Sequence, residues 1–232
     1  MSVIFECRDL VKSYGNVTAL KGISLQLESG RIVGLLGPNG SGKTTLIKLA
    51  NRLLQPTSGE LRIAGETPGV KTKAAIAYLP DKDFLPDWMK VSALLGLYQS
   101  YYADFDRAAA ERMIASLGID QNQTFKKLSK GTREKVQLIL TMSRKAQVYL
   151  LDEPIAGVDP AARDYIIRTI ISNYNPEAMV LISTHLIADI EAVLDEVIFL
   201  KEGRIVLHEN ADDLRTKVSM SVDEYFREVF RC

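Results

Sequence analysis

Eight consecutive residues, Gly37-Pro38-Asn39-Gly40-Ser41-Gly42-Lys43-Thr44, with Thr45 behind them, carry the clearest chemistry in this chain. Gly37, Gly40 and Gly42 let the backbone wrap tightly, so successive N–H groups can point at one anion. Lys43 adds a charge that can reach the β- and γ-phosphates of a nucleotide, and the Thr44 hydroxyl can ligate Mg²⁺. A helix starting behind Lys43 sets its positive end on the same anion. Such a cradle needs a strand before it and a helix after it. Arg31 to Leu36 reads as a short buried strand, and Thr45 to Leu54 falls in helical register. The setting makes this a P-loop rather than an ordinary glycine turn.

Two more strand ends carry suitable groups. Val148 to Leu151 is apolar and runs into Asp152-Glu153. Where a strand ends the chain can turn, so both carboxylates can approach one site. Asp152 suits a Mg²⁺ shell, and Glu153 suits the group that orients or deprotonates water. Alone, the pair reads equally well as the cap of an exposed strand; beside a P-loop it reads as the second half of a site. Val180-Leu181-Ile182-Ser183-Thr184 ends in His185, which could hydrogen-bond a γ-phosphate and the water-activating carboxylate. Without that context a lone histidine is more often structural. The other histidine, His208, falls in an expected edge strand and reads as structural or exposed.

The elements that must position these groups can be followed along the chain. Ile4 and Cys7 to Lys12 are strand-like before a turn at Tyr14-Gly15-Asn16, and Leu20 to Leu27 alternates as a second strand. Ser58-Gly59-Glu60 turns into a strand at Leu61 to Ala64, and Ile76 to Leu79 forms another. Helical patterns then dominate from Asp83 to Gln147, at Val91 to Tyr102, Asp106 to Leu117 and Thr132 to Arg144. Strands return at Val148, Met179 and Val197, with a helix from Ala161 to Ser172 and a hairpin at Glu202-Gly203. Ala211 to Arg231 reads as one or two peripheral helices. The pattern is a mixed α/β core interrupted by a helical insertion, its two halves meeting in space.

Composition narrows the function. Hydrophobic residues make up 47% of the 232, enough for a substantial core. Lys plus Arg number 29 and Asp plus Glu 29, a balance that argues against a nucleic-acid surface but leaves a local phosphate pocket open. Cys7 and Cys232 sit at opposite ends and read as unpaired reduced thiols. No signal peptide is expected at the start, and no run approaches the roughly 20 apolar residues of a membrane span. A role at a membrane therefore requires a partner.

Taken together, the motifs resemble those of the ATP-binding-cassette family, the nucleotide-binding subunits of ABC transporters, over nearly the whole chain. Leu128-Ser129-Lys130-Gly131-Thr132 resembles the family's signature motif. Ala156-Gly157-Val158-Asp159-Pro160 matches its D-loop and His185 its switch histidine, while Asp81 falls at the Q-loop position. Tyr14 looks like the aromatic that stacks on adenine, the alternative being a tyrosine packed on a hairpin. The resemblance implies an α/β fold: a P-loop NTPase (RecA-like) core over 1–82 and 146–232, with a small antiparallel β subdomain. A helical insertion, 83–145, carries the signature. It also implies ATP and Mg²⁺ as ligands.

A closer resemblance is to bacterial transporter ATPases, mostly exporters. It implies a head-to-tail pair, a homodimer or a dimer with a related subunit, in which each ATP lies between one copy's P-loop and the other's signature. Separate transmembrane permease subunits would hold the pair at the cytoplasmic face of the membrane. Ser129 can cap a helix, and Gly131 permits close backbone approach to phosphate. Lys126, Lys127, Lys130, Arg133, Lys135, Arg144 and Lys145 surround a single acid, Glu134, a basic island compatible with a partner's bound triphosphate. Lys130 stands where the family usually has glycine, and either points away from the nucleotide or adds charge near it. Asp81 stands where glutamine is usual; it either joins the Mg²⁺ shell or serves as a hinge. In the aromatic segment after Asp81, Trp88 and Met89 are the expected contacts for a permease helix.

Transport is the function these features favour. The alternatives are a non-transport ABC-type ATPase, which usually carries two cassettes or a long coiled insertion, and a regulatory nucleotide-binding module, against which Lys43, Asp152, Glu153 and His185 argue.

Overall fold

Alternation along the first sixty residues builds one small sheet. β1 (Val3–Tyr14) and β2 (Val17–Glu28) form a hairpin through Gly15, whose φ of +56° suits the turn, and β4 (Ser58–Ile63) pairs with the other edge of β1. All pairings are antiparallel, and Phe5, Leu10, Leu20, Ile23 and Leu27 turn inward. The computed structural model describes residues 2–156 and 158–231, without the side chains of Ala161 and Ala162; Gly157 and Cys232 therefore lie outside the described residues.

The larger sheet gathers the apolar runs. Its order is β5 (Ile76–Leu79), β6 (Val148–Asp152), β7 (Met179–Thr184), β3 (Ile32–Leu36), β8 (Glu196–Lys201) and β9 (Arg204–Asn210). The first five are parallel, and β9 returns antiparallel after the turn at Glu202-Gly203. Every residue of β3, β6 and β7 is buried, which is why these strands read as continuous apolar runs. Ile76 pairs with Val148, so the sheet closes across the whole intervening segment.

That segment holds α3 (Val91–Tyr101), α4 (Arg107–Ser116) and α5 (Lys130–Met142), packed around a separate apolar core that includes Leu94, Leu95, Phe125, Val136 and Ile139. Arg144 fastens it to the sheet. Its buried guanidinium holds both oxygens of Asp104 at 2.9 Å, donates to the Ile76 carbonyl at 2.6 Å, and lies 3.9 Å from the Tyr102 ring. Neutralised and multiply bonded in this way, a buried charge is tolerated.

α1 (Lys43–Ala50) begins earlier and ends sooner than its periodicity suggests. Arg52 takes a left-handed φ of +55°, and the Asn51 amide folds back onto the Ile47 carbonyl, which stops the helix. α2 (Val70–Ala75) has too few apolar residues to signal itself. α6 (Pro160–Asn173) and the one-turn α7 (Ile187–Ile190) cover the sheet, and α8 (Ala211–Val218) and α9 (Val222–Val229) close the chain. Phe226 seats α9 edge-on against Phe199 of β8.

Candidate functional site

Parallel register brings the carboxyl ends of β3, β6 and β7 level: Leu36 lies beside Thr184, and Asp152 beside Ser183. Ligand crevices of open α/β sheets form at such ends. The chain leaving β3 wraps through Gly37–Gly42 into α1. Gly40 and Gly42 have φ of +81° and +114°. A Cβ on Gly37 would stand 2.4 Å from the Leu200 carbonyl, and one on Gly42 2.7 Å from Leu20. Glycine is therefore demanded here by both conformation and space. Pro38 and Asn39 complete the curve, and Ser41, itself buried, donates its backbone N–H to the Pro38 carbonyl at 3.2 Å.

Lys43 turns back over this curve. Its ammonium donates to the Gly37 carbonyl at 2.7 Å and stands 3.2 Å from Glu153 Oε1. The other Glu153 oxygen lies 3.0 Å from His185 Nδ1. The Thr44 hydroxyl donates to Asp152 Oδ1 at 3.1 Å; Thr45, next along the helix, is half-buried. The P-loop, the two acids and the histidine are thus one connected network. Glu153 carries a φ of +52°, a strained conformation for a side-chain-bearing residue that costs on the order of 1 kcal/mol or more. Its carboxylate meets Lys43, next to the Thr44 that bonds Asp152, so both acids approach the P-loop.

Asp152 is fully buried. Burial pushes its carboxyl above the ordinary carboxylate range, partly offset by hydrogen bonds from Ser183 and Thr44. Its Oδ2 is buried without a hydrogen-bond partner among the described residues. An orphaned carboxylate oxygen beside a threonine hydroxyl fits a hard divalent cation, and Mg²⁺ commonly takes one or two protein ligands and completes its shell with phosphate and water. Thr44 and Asp152 would hold it there, where it neutralises phosphate charge. Asp81 is exposed just beyond β5, and its charge adds to the upward pressure on the Asp152 carboxyl.

The remaining candidates lie apart from this network. Tyr14 is half-exposed at the end of β1, with the Lys12 ammonium 5.1 Å from its ring. Ser129 caps α5: its Oγ accepts from the Thr132 N–H at 3.2 Å. A Cβ on Gly131 would meet nothing within 4 Å, so no steric demand within the chain calls for glycine there. Lys130 runs along α5 toward Glu134, 3.8 Å away. Asp159 opens α6, accepting the Arg163 N–H at 3.2 Å, and its charge is felt at Glu134 of α5. Trp88 is 73% exposed, whereas Met89 is half-buried against the helical core.

Two features escaped the sequence. Ser183 reads in the sequence as one more residue of a buried strand, yet its hydroxyl bonds the Asp152 carboxylate and the Glu153 backbone N–H. Asp83 is clasped by α5, receiving Gln137 Nε2 at 2.8 Å and Arg133 at 2.8 Å, while the Phe84 N–H donates to Gln137 Oε1. The i, i+4 spacing of Arg133 and Gln137 was the available signal.

A glycine-rich cradle, a lysine, paired acids at a neighbouring strand end and a histidine define a nucleotide-binding P-loop ATPase fold. The chain belongs to the ABC transporter family, whose pattern matches residues 20–156. It is similar to the ABC transporter ATP-binding protein YtrB of Bacillus subtilis (strain 168), 28% identical over 226 residues, spanning 95% of this chain and 77% of YtrB. The Nod factor export ATP-binding protein I of Ralstonia nicotianae is 29% identical, over 92% of this chain and 69% of its own. A solved ATP-binding subunit of an ABC transporter superposes with a TM-score of 0.86 at 26% identity, over 98% of this chain and all of the other. Among the described residues, no helix is long and apolar enough to cross a membrane.

Proposed function

We propose that this chain hydrolyses ATP for a transporter, an exporter, working as an ATP-dependent head-to-tail pair docked on separate permease subunits at the cytoplasmic face of the membrane. The observation that carries the reading is the unbroken network Lys43–Glu153–His185 beside Thr44–Asp152. In it Gly37–Thr45 and Lys43 bind the phosphates, Thr44 and Asp152 hold Mg²⁺ with help from Asp81, Glu153 takes the proton of attacking water, and His185 orients Glu153. Tyr14 stacks on the base. Ser129 and Gly131, with Asp159 beside them, meet the triphosphate bound by the other copy. Lys130, drawn toward Glu134, points along its own helix.

Residues 83–145 act as a unit, clasped at Asp83 and Arg144. Between this unit and the core runs a groove of about 930 Å³ lined by Leu53, Val70, Phe84, Tyr98 and Tyr101, four of them exposed apolar or aromatic side chains. It suits a short permease helix better than Trp88 and Met89 do. Export is supported by the likeness to the Nod factor export protein.

The test is phosphate release from ATP by the wild type and by Glu153→Gln. The wild type should turn ATP over, and the variant should bind it with undiminished affinity but release no phosphate. Equal turnover by both would remove Glu153 from the reaction.

A further inference from the structure

One serine stands behind both acids of the site. Ser183 is fully buried at the end of β7, level with Asp152 in the parallel register. Its hydroxyl donates to Asp152 Oδ1 at 2.6 Å and accepts the Glu153 N–H at 3.1 Å. A single hydroxyl has one proton to give and lone pairs to receive, so both bonds coexist with fixed polarity. Thr44 also donates to Oδ1, which leaves Oδ2 as the oxygen without a partner. Two donors on one carboxylate oxygen set the plane of the group and decide which oxygen faces the site. At the same time the Glu153 N–H is anchored at the residue whose backbone is strained, with φ of +52°.

We propose that Ser183 is a positioning residue: it aims Asp152 Oδ2 at the cation and holds the turn that delivers Glu153, so that metal site and water-activating group keep a fixed relation. This rests on the reading of Asp152 as a Mg²⁺ ligand given above. Ser183 acts through the two acids its hydroxyl contacts. Its contribution falls on metal affinity and turnover, and metal-free nucleotide binding by the P-loop is untouched.

Ser183→Ala removes the hydroxyl at almost constant shape. The Glu153 N–H keeps the residue-183 carbonyl, 3.0 Å away, so the variant retains a backbone partner and should fold. ATP binding is measured by calorimetry over a Mg²⁺ titration, with thermal melting in parallel. The expected result is an unchanged metal-free affinity and an Mg²⁺ midpoint raised about tenfold, the scale of one hydrogen bond to a charged group. Ser183→Thr, which keeps the hydroxyl, should restore the midpoint. A lower melting temperature with an unmoved Mg²⁺ midpoint would reduce Ser183 to a structural residue and overturn the proposal. Asp152→Asn separates the two levels. If it shifts the midpoint and Ser183→Ala does not, only the serine's role falls. If neither shifts it, the metal reading of Asp152 falls and the serine's role with it.

Discussion

The ends of β3, β6 and β7 and the start of α5 both carry residues assigned to the nucleotide, yet they are built in opposite ways. At the strand ends the side chains hold one another: Lys43 reaches Glu153, Glu153 reaches His185, and Thr44 and Ser183 both reach Asp152. Gly37 and Gly42 are glycines because surrounding atoms leave no room for more. At the start of α5, Ser129 bonds to Thr132 of its own helix, and Gly131 faces open space. The first region is assembled by one chain folding. The second forms no such network and leaves Gly131 open, which fits the proposal that it meets a nucleotide held by another copy.

That contrast can be broken in several ways. Lys43→Ala has the largest expected effect: loss of the ammonium bonded to the cradle should weaken ATP binding by about a hundredfold or more while the melting temperature stays close to wild type. Calorimetry showing unchanged affinity would break the strand-end half of the comparison. Gly37→Ala should come next, destabilising the fold by about 1–3 kcal/mol because its Cβ must displace the Leu200 carbonyl. Gly131→Ala sharpens the contrast. In the first turn of α5 with open space around it, alanine should leave stability unchanged or raise it by less than about 1 kcal/mol, yet lower ATP turnover. Thermal melts and phosphate-release rates on the same two variants check both halves.

Smaller effects concern the margins. Asp81→Asn should raise the Mg²⁺ midpoint of turnover by a few-fold, since it withdraws a negative charge from beside the proposed cation site. Superimposable metal curves would leave Asp81 as a hinge only. Tyr14→Ala should weaken ATP and GTP alike, by about fivefold, the low end for stacking on a half-exposed ring. Unchanged affinity for both would remove Tyr14 from the base site.

What was legible in the sequence follows from the same division. Fully buried strands announced themselves as apolar runs, and the P-loop was readable because backbone wrapping leaves glycines at fixed spacing. Asp152, Glu153 and His185 were readable because strand ends concentrate chemistry. Ser183 was not, because a buried hydroxyl on a strand looks the same whether it bonds to backbone or to a carboxylate of the site. The early stop of α1 depended on the left-handed turn at Arg52, which no propensity foretells. Residue type makes Trp88 and Met89 the expected permease contacts, but packing is invisible in sequence: the structure leaves Trp88 exposed and packs Met89 partly against the helical core.

The central claim, that each nucleotide site is completed by a second copy, has a direct test. Lys43→Ala disables a cradle, and Gly131→Glu places a negative charge against the triphosphate at a position in the first turn of α5 where acids are tolerated. Each purified variant should release no phosphate from ATP. In a mixture, the head-to-tail pair formed by one of each combines the intact cradle of the second with the intact helix start of the first, one whole site. The account predicts that phosphate release reappears on mixing. A mixture as inert as its components would contradict it, because a site completed within one chain is beyond rescue by another.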